Sequence, residues 1–323
     1  MTRFGYTLMT EQSGPKELLR YAVGAEQAGF DFAVSSDHYF PWLPEMGHSS
    51  YAWSVLGAVA HATERLELMT YVTCPTMRYH PVVVAQKAAT LGLLSDNRFV
   101  LGLGSGENLN EHVVGRGWPM ASVRQDMLAE AIELIRALHR GEQTTWVGEH
   151  FRADSAKIWD LPDRPVPLAA AVSGDGSVSR FAPVADHLIA VEPRAELVSG
   201  WDAARPNLPA SRKIGQIPIC WGVEAKQAVQ RAHQLFRWFG GGWKVNSDLP
   251  TPVAFDSASQ FVRTEDIAES IACGPDLDQL AESVRPFLDA GFTDVALVQI
   301  GDESQPQFLA QIAQPLLAKL RTL

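Results

Sequence analysis

An acid, an imidazole and aromatic rings follow one another in the segment 35–42, which reads Ser-Ser-Asp-His-Tyr-Phe-Pro-Trp. The apolar run 32–34 precedes it, so a short strand is predicted to end there with these groups at its tip. Because the unperturbed pKa of histidine lies near neutral pH, His38 could move a proton, and Asp37 could orient or charge it. Trp42 could lie against a flat ligand. The alternatives are a histidine bonded to nearby backbone and a tryptophan that only packs.

A second candidate is the glycine-rich segment 102–111, Gly-Leu-Gly-Ser-Gly-Glu-Asn-Leu-Asn-Glu. It lacks the third glycine at the dinucleotide-binding spacing, which argues against such a site. In a loop after a strand, its glycines would let the backbone approach a planar ligand closely. Glu107 would then lie at the rim, where partial burial would raise its pKa toward a useful acid or base value. An exposed glutamate that starts a helix is the alternative.

The residue pattern also bears on two other ligand types, a metal ion and a phosphate. Asp37, His38 and His48 lack an HExxH motif and a second imidazole at ligand spacing, so no metal is expected. The Ser-Gly-Asp-Gly run at 173–176 opens a predicted helix, and its exposed N–H groups could hold a phosphate. An ordinary strand-to-helix turn is the alternative there.

The elements that must position these groups alternate along the chain as strand and helix, in units of about 30 residues, which predicts parallel strands with right-handed crossovers. About eight strands are predicted, at residues 4–9, 31–35, 66–72, 98–104, 166–172, 187–191, 214–222 and 294–300. This count favours a TIM (β/α)8 barrel, in which active residues lie on the loops after the strands. A doubly wound open sheet is the second possibility, because periodicity does not show whether a sheet closes.

The 323 residues are expected to form a single domain, 1–323, with no composition shift that marks a second one. Two segments interrupt the alternation. Residues 144–160 alternate aromatic and polar side chains, as a β-hairpin would, after strand 4. Residues 238–270 follow strand 7 and contain a glycine and aromatic run, 238–246, that is expected to cap the pocket.

Composition narrows the choice of partner and compartment. A net charge of −10 disfavours a nucleic-acid partner, which would need a basic surface. The start of the chain has no apolar leader, and nowhere do about 18 apolar residues run together, so no membrane association is expected. Three scattered cysteines (Cys74, Cys220, Cys273) are typical of free thiols in a reducing cytoplasm.

Together these segments resemble the luciferase-like superfamily of TIM-barrel flavin and deazaflavin enzymes. More narrowly, they resemble its oxidoreductases that depend on coenzyme F420, of the glucose-6-phosphate dehydrogenase and secondary-alcohol dehydrogenase type. The motifs that carry the likeness, strong over the first 120 residues and looser beyond, are Glu11-Gln12, the segments 36–42 and 73–79, Ala85-Gln86 and 104–111.

The resemblance also implies roles for individual residues. His38, Trp42 and Glu107 match the group around the reacting carbon, and Glu11 matches a nearby acidic position. The matching cofactor-binding positions are Asp37, Tyr71, Val72, Cys74, Gly104, Gly106, Asn110, Ser173 and Gly174. Among these, Tyr71-Val72 falls where the family has a non-prolyl cis peptide behind the ring, and Ser173-Gly174 falls at a backbone site for the cofactor phosphate.

The second half departs from the sugar-phosphate enzymes, which hold the substrate phosphate with lysines. Val-Glu-Pro-Arg at 191–194 stands where the first lysine should fall, and Glu269 stands near another. Acids facing a phosphate in a partly dry pocket are unfavourable, so glucose 6-phosphate is not the expected substrate. Arg194 is the one cation there that could substitute.

The resemblance implies an F420-dependent oxidoreductase that moves hydride between the deazaflavin and an alcohol, carbonyl or sugar-like small molecule. An FMN-dependent luciferase-like monooxygenase is the alternative among enzymes, and a non-catalytic flavin- or deazaflavin-binding protein is the alternative of another class. Family likeness also implies a homodimer. Which of His38 and Glu107 acts as acid or base does not follow from the residues.

Overall fold

The computed structural model describes residues 2–323, and its main sheet is parallel throughout. The strands are β1 (Arg3–Leu8), β2 (Phe32–Ser35), β3 (Glu67–Thr70), β4 (Phe99–Leu103), β5 (Thr144–Val147), β6 (Arg152–Ala156), β7 (Leu168–Ala171), β8 (His187–Ala190), β9 (Lys213–Trp221), β10 (Ala272–Gly274) and β11 (Asp294–Gln299). The eight predicted strands correspond to β1 to β4, β7 to β9 and β11.

These eight strands close into a barrel. They pair in the order β1, β2, β3, β4, β7, β8, β9 and β11, and β11 returns to β1 with Tyr6 opposite Leu297. Closure depends on the pairing of β8 with β9, in which Ile189 lies opposite Ile214. The TIM-barrel prediction is therefore confirmed, and an open doubly wound sheet is excluded.

Helices surround the barrel and cover its outer face. The α-helices are α1 (Pro15–Ala28), α2 (Ala52–Ala62), α3 (Pro81–Leu94), α4 (Asn108–Glu111), α5 (Ala121–Leu138), α6 (Asp175–Phe181), α7 (Ala195–Ala203), α8 (Ala225–Phe236), α9 (Trp243–Asn246), α10 (Pro252–Ser259), α11 (Thr264–Ser270), α12 (Leu277–Glu282), α13 (Arg285–Asp289), α14 (Gln305–Gln307) and α15 (Ala313–Leu320). Short 3₁₀ turns cover Pro44–Met46, His112–Val114, Arg237–Gly241 and Asp302–Ser304, and a π-turn covers Phe308–Ile312.

Local sequence explains where individual helices begin and end. Pro15 occupies the first turn of α1, and Gly29 ends that helix in the left-handed conformation with φ +95°. Helix α3 begins at Pro81, and the side chain of the preceding His80 accepts a hydrogen bond from the Val82 N–H. Both helices turn an apolar face toward the barrel.

The core has two main layers. Eight residues fill the barrel interior: Phe32, Val34, Met69, Val100, Ala169, Ile189, Ile214 and Ala296. A larger cluster lies between the strands and the helices and includes Phe4, Leu68, Ile132 and Leu317. Filling of the interior makes the barrel a rigid support for the loops at its carboxyl end.

Both predicted insertions are present. β5 and β6 form an antiparallel hairpin in which Trp146 lies opposite Ala153. After β9 and α8, the Arg237–Gly241 turn and helices α9 to α11 pack over the carboxyl end of the barrel. Strand β10, which the sequence did not predict, follows this cap and pairs with the end of β9, with Cys273 opposite Cys220. None of the helices within residues 2–323 is both long and apolar enough for a membrane span.

Candidate active site

Three titratable side chains from three different loops meet at the carboxyl end of the barrel. Glu11 follows β1, His38 follows β2, and Glu107 follows β4. His38 Nδ1 lies 3.2 Å from Glu11 Oε1, and His38 Nε2 lies 3.2 Å from Glu107 Oε2. The imidazole is thus held between two carboxylates, an arrangement that no single segment of the sequence shows.

Glu11 is anchored by hydroxyl groups on the side away from His38. Thr10 Oγ1 donates to Glu11 Oε2 at 3.1 Å, and Ser36 Oγ donates to the same oxygen. Glu11 is 1% exposed, so these bonds take the place of water. Since Oε2 is occupied in this way, Oε1 remains for the imidazole.

The acid on the other side, Glu107, is placed by a close-packed glycine turn. Gly106 has φ +85°, and a Cβ atom added there would lie 2.7 Å from Cys74 Sγ. Asn110 then fixes the carboxylate, because its Nδ2 donates to Glu107 Oε2 at 2.8 Å. The same side chain accepts hydrogen bonds from the Tyr39 and Phe40 N–H groups at 2.8 and 3.3 Å.

The surroundings of His38 favour its protonated form. Burial disfavours the charged imidazole, but the carboxylates of Glu11 and Glu107 outweigh it and raise the pKa of His38 to about 9. Trp42 covers one face of the ring, with the two ring centroids 4.7 Å apart. Trp42 in turn stacks on Trp238 of the cap, at 4.1 Å and 9° between planes.

Asp37 lies beneath this group and contacts protein on every side. Its carboxylate accepts hydrogen bonds from Trp53 Nε1 (3.1 Å), Thr73 Oγ1 (2.7 Å), Tyr79 Oη (3.1 Å) and an Arg78 terminal nitrogen (3.2 Å). The Asp37 side chain has no exposed surface. In this arrangement the carboxylate braces the loop that carries His38.

Arg78 and Glu111 form a buried pair that the sequence did not single out. The backbone N–H of Arg78 donates to Glu111 Oε2 at 2.8 Å. The guanidinium of Arg78 donates to the carbonyl oxygen of Asp37. Burial raises the pKa of Glu111 to about 7, against the lowering effect of Arg78. Arg78 falls in the segment 73–79, but no spacing there indicates that it joins the loops after β2 and β4.

A cavity of about 280 Å³ opens beside the triad. Of the candidate residues, those that line it are Glu11, His38, Trp42, Tyr71, Val72, Gly104, Gly106, Glu107 and Ser173. Four others do not line it: Asp37, Cys74, Asn110 and Gly174. Cys74 is buried behind Gly106, and Asn110 and Asp37 support the loops as described above.

The back of the cavity contains the peptide bond that the resemblance implied. The Tyr71–Val72 bond is cis. On the far side, the N–H groups of Ser173 and Gly174 donate to Ser177 Oγ at 3.0 and 3.2 Å, so this turn is closed on itself. Within residues 2–323, no cluster of three His, Cys, Asp or Glu side chains is placed to hold a metal ion.

Aromatic residues of the cap form the wall opposite the triad, and the sequence indicated this only as a run rich in aromatics. The lining side chains are Phe236, Trp238, Phe239 and Trp243, with Asn246 beside them. Glu192 also lines the cavity, whereas Glu269 is exposed on α11 and does not. The expectation that Glu269 faces the substrate is therefore wrong; it rested on loose matching within a helical insertion.

Comparison with known proteins places this site in a family. The model of the luciferase-like monooxygenase family matches residues 1–294. The chain belongs to the luciferase-like family. Among curated relatives, an F420-dependent glucose-6-phosphate dehydrogenase from Nakamurella multipartita is 34% identical, over 99% of this chain and 97% of its own length. An F420-dependent hydroxymycolic acid dehydrogenase from Mycobacterium tuberculosis is 35% identical, over 89% of this chain and 80% of its own length.

A solved structure shares nearly the whole backbone. An F420-dependent secondary alcohol dehydrogenase, solved with an F420-acetone adduct, superposes with a TM-score of 0.91 at 26% identity and covers 99% of both chains. An F420-dependent tetrahydromethanopterin reductase from Methanopyrus kandleri, at 17% identity and a TM-score of 0.75, shares the fold. The site is thus built on a luciferase-like barrel.

Proposed function

We propose that this chain is an F420-dependent oxidoreductase that transfers hydride between the deazaflavin and an alcohol or carbonyl carbon of a small molecule. The observation that carries the proposal is His38 held between Glu11 and Glu107 on the wall of the barrel cavity. Two curated relatives that match most of this chain are F420-dependent dehydrogenases, and so is the secondary alcohol dehydrogenase whose structure superposes with a TM-score of 0.91. The cofactor is therefore F420.

The cavity suits a flat ring. One side consists of backbone and small side chains, Gly104, Ser105 and Gly106, and the cis peptide of Tyr71–Val72 backs it. Side chains larger than hydrogen are not accommodated at Gly104, since a Cβ there would lie 2.4 Å from Val72 Cγ2. These residues would hold the deazaflavin, which supplies the ring carbon that accepts or gives hydride.

The protein's own groups then handle the proton and the orientation. His38 and Glu107 line the cavity and share a 3.2 Å contact, so together they can give a proton to, or take one from, a substrate oxygen. Glu11 holds the imidazole from behind, and Trp42 limits where the substrate can lie. Deep burial of this group excludes water from the reacting atoms.

Cofactor contacts also belong to the proposal. Tyr71, Val72, Gly104, Gly106 and Ser173 would contact F420 directly, because they line the cavity. The remaining implied positions, Asp37, Cys74, Asn110 and Gly174, would act by supporting this wall. To bind the cofactor phosphate, the Ser173 and Gly174 N–H groups would have to release Ser177 Oγ and donate to the phosphate instead.

The substrate is proposed to carry no phosphate, unlike glucose 6-phosphate. Among the residues of the described chain that line the cavity there is no lysine or arginine, while Glu11, Glu107 and Glu192 are present. Arg194 lies outside the lining and pairs with Glu192 at 3.7 Å. A dianionic phosphate would lose water without gaining an unpaired cation, because the His38 imidazolium is already held by Glu11 and Glu107, and this is strongly unfavourable in a partly dry site. The aromatic wall suits an uncharged, apolar substrate.

Cofactor titration tests the first part of the proposal. Purified protein is titrated with F420 and separately with FMN, following fluorescence quenching, and tight binding of F420 alone is expected. Tight binding of FMN alone would instead indicate the luciferase-like monooxygenase.

Turnover separates an enzyme from a cofactor carrier. With F420 bound, a panel of uncharged alcohols and ketones is compared with glucose 6-phosphate, following the absorbance of the deazaflavin. Hydride exchange with an uncharged member, and none with the sugar phosphate, is expected. F420 binding without exchange on any member would support the non-catalytic alternative.

Assembly and compartment remain part of the proposal. Homodimer formation is proposed from the family likeness, and light scattering on the purified chain measures it. A cytoplasmic location is proposed because Cys74, Cys220 and Cys273 are buried free thiols, as is usual in a reducing compartment.

A further inference from the structure

The ring of His38 faces hydrogen-bond acceptors at both nitrogens. Nδ1 lies 3.2 Å from Glu11 Oε1 and 3.2 Å from the Phe40 carbonyl oxygen, and Nε2 lies 3.2 Å from Glu107 Oε2. A neutral imidazole has one N–H and one lone pair, so one nitrogen would direct its lone pair at an acceptor oxygen. Only the imidazolium, with two N–H groups, donates to both sides.

The charges around the ring also favour the imidazolium. Glu11 comes from the loop after β1 and Glu107 from the loop after β4, and both are in direct contact with the ring. The cation that opposes a charge on the ring is Arg78, which precedes α3 and is paired with Asp37 at 3.2 Å. Trp42, on the remaining face, is uncharged. The two carboxylates in contact with the ring therefore favour its protonated form more strongly than one cation, already paired with Asp37, disfavours it.

We propose that the His38–Glu107 pair rests with its proton on His38 and donates that proton to a carbonyl oxygen, so that the resting site is set for a ketone or aldehyde rather than for an alcohol. This inference rests on the proposed function. Reduced F420, when bound, would supply the hydride that reduces the carbonyl carbon by two electrons, and its ring proton would pass to solvent. The former π electrons of the carbonyl form the new O–H bond with the His38 proton, and solvent restores a proton to His38.

The protonation state determines how each direction depends on pH. The pKa of His38, about 9, leaves nearly all of the protein ready to donate at pH 7, and only about one molecule in a hundred ready to accept a proton. Carbonyl reduction needs the protonated ring and alcohol oxidation needs the neutral ring, so near neutrality the direction that needs the minor form of His38 changes about tenfold per pH unit. The sloping direction identifies the resting state.

Titration of the ring provides a test that needs no turnover. Protein with ¹⁵N-labelled histidine is titrated by NMR without cofactor, and His38 is assigned by loss of its signals in His38→Asn. Imidazolium shifts at pH 7 with a transition near pH 9 are expected. A neutral ring at pH 7 would overturn the inference.

A matched pair of variants tests the cause. Glu11→Gln should lower the transition of His38 by a pH unit or more, since it removes one of the two contacting charges. Glu142→Gln, an exposed acid far from the ring in sequence and on the surface, should leave the transition in place. An unchanged transition in a folded Glu11→Gln protein would contradict the role assigned to Glu11. Circular dichroism establishes that both variants fold.

Kinetics with F420 complete the test. For the carbonyl at saturating reduced F420, kcat/KM should stay level between about pH 6 and 8 and fall about tenfold per unit above about pH 9, while alcohol oxidation rises across the first range. Reduction that falls from pH 6 onward, with level oxidation, would overturn the inference. That outcome still leaves F420-dependent hydride transfer intact, whereas loss of both rates would count against the proposed function.

Discussion

The Asn110 side chain joins the two loops that carry the proton-transfer residues. Its Nδ2 donates to Glu107 Oε2 at 2.8 Å, and its Oδ1 accepts from the Tyr39 N–H, next to His38, also at 2.8 Å. Asn110 is buried and does not line the cavity. The distance between His38 and Glu107 is therefore set partly by a residue behind them.

Replacement of Asn110 by alanine should reduce turnover while the cofactor still binds. Without the amide, Glu107 loses the one side-chain hydrogen bond that it has besides its contact with His38 among residues 2–323, and a misplacement of about 1 Å can cost about a hundredfold in rate. The matched control is Asn108→Ala on the same short helix, whose amide donates to the Asp248 carbonyl oxygen. Turnover and F420 affinity of both variants are measured side by side. Equal loss of turnover in the two variants would contradict a specific role for Asn110.

His38→Ala and Glu107→Gln should each lower turnover greatly with F420 binding retained. General acid–base groups contribute about 10²- to 10⁴-fold to rate, and neither replacement removes the Gly104–Gly106 wall of the cavity. Steady-state kinetics and fluorescence titration check the two parts. Near-normal turnover in both variants would remove these residues from the catalytic group.

Much of the barrel was predictable because alternating strands and helices leave a local pattern. The eight strands were located to within a few residues. Closure was not predictable, since it depends on β8 pairing with β9 rather than on any property of one segment.

The sequence indicated which residues form the site but not which of them contact one another. Its loop after β2 and its glycine turn were visible in the sequence, and family likeness connected them. The burial of Asp37 under four donors was not visible, because Trp53, Thr73, Arg78 and Tyr79 are distant along the chain. Long-range hydrogen bonds of this kind leave no periodicity to read.

The buried acid Glu111 should make stability depend on pH in an unusual direction. Burial raises its pKa from 4.5 to about 7. Between these values the folded state holds a proton that the unfolded state has released, so the free energy of unfolding falls as the pH rises. Relative to Glu111→Gln, wild-type should lose about 3 kcal/mol from pH 4.5 to 7.

Chemical denaturation of the two proteins at several pH values measures this difference. The comparison uses the change with pH, so a constant offset from the lost Arg78 contact cancels. A wild-type protein that gains stability relative to Glu111→Gln over this range would mean that Glu111 is ionised in the fold.

Gly106→Ala should disturb the site more than the same change at Gly115. Both glycines have positive φ, +85° and +74°, so both substitutions carry a similar backbone strain of about 1 kcal/mol. Only at Gly106 does the new Cβ meet a neighbour, Cys74 Sγ at 2.7 Å, whereas Gly115 has nothing within 4 Å. The clash must move the turn that carries Glu107, so turnover should fall about tenfold or more, and the thermal midpoint should fall further than in Gly115→Ala. Equal turnover in two folded variants would show that the turn can shift without moving Glu107 away from His38.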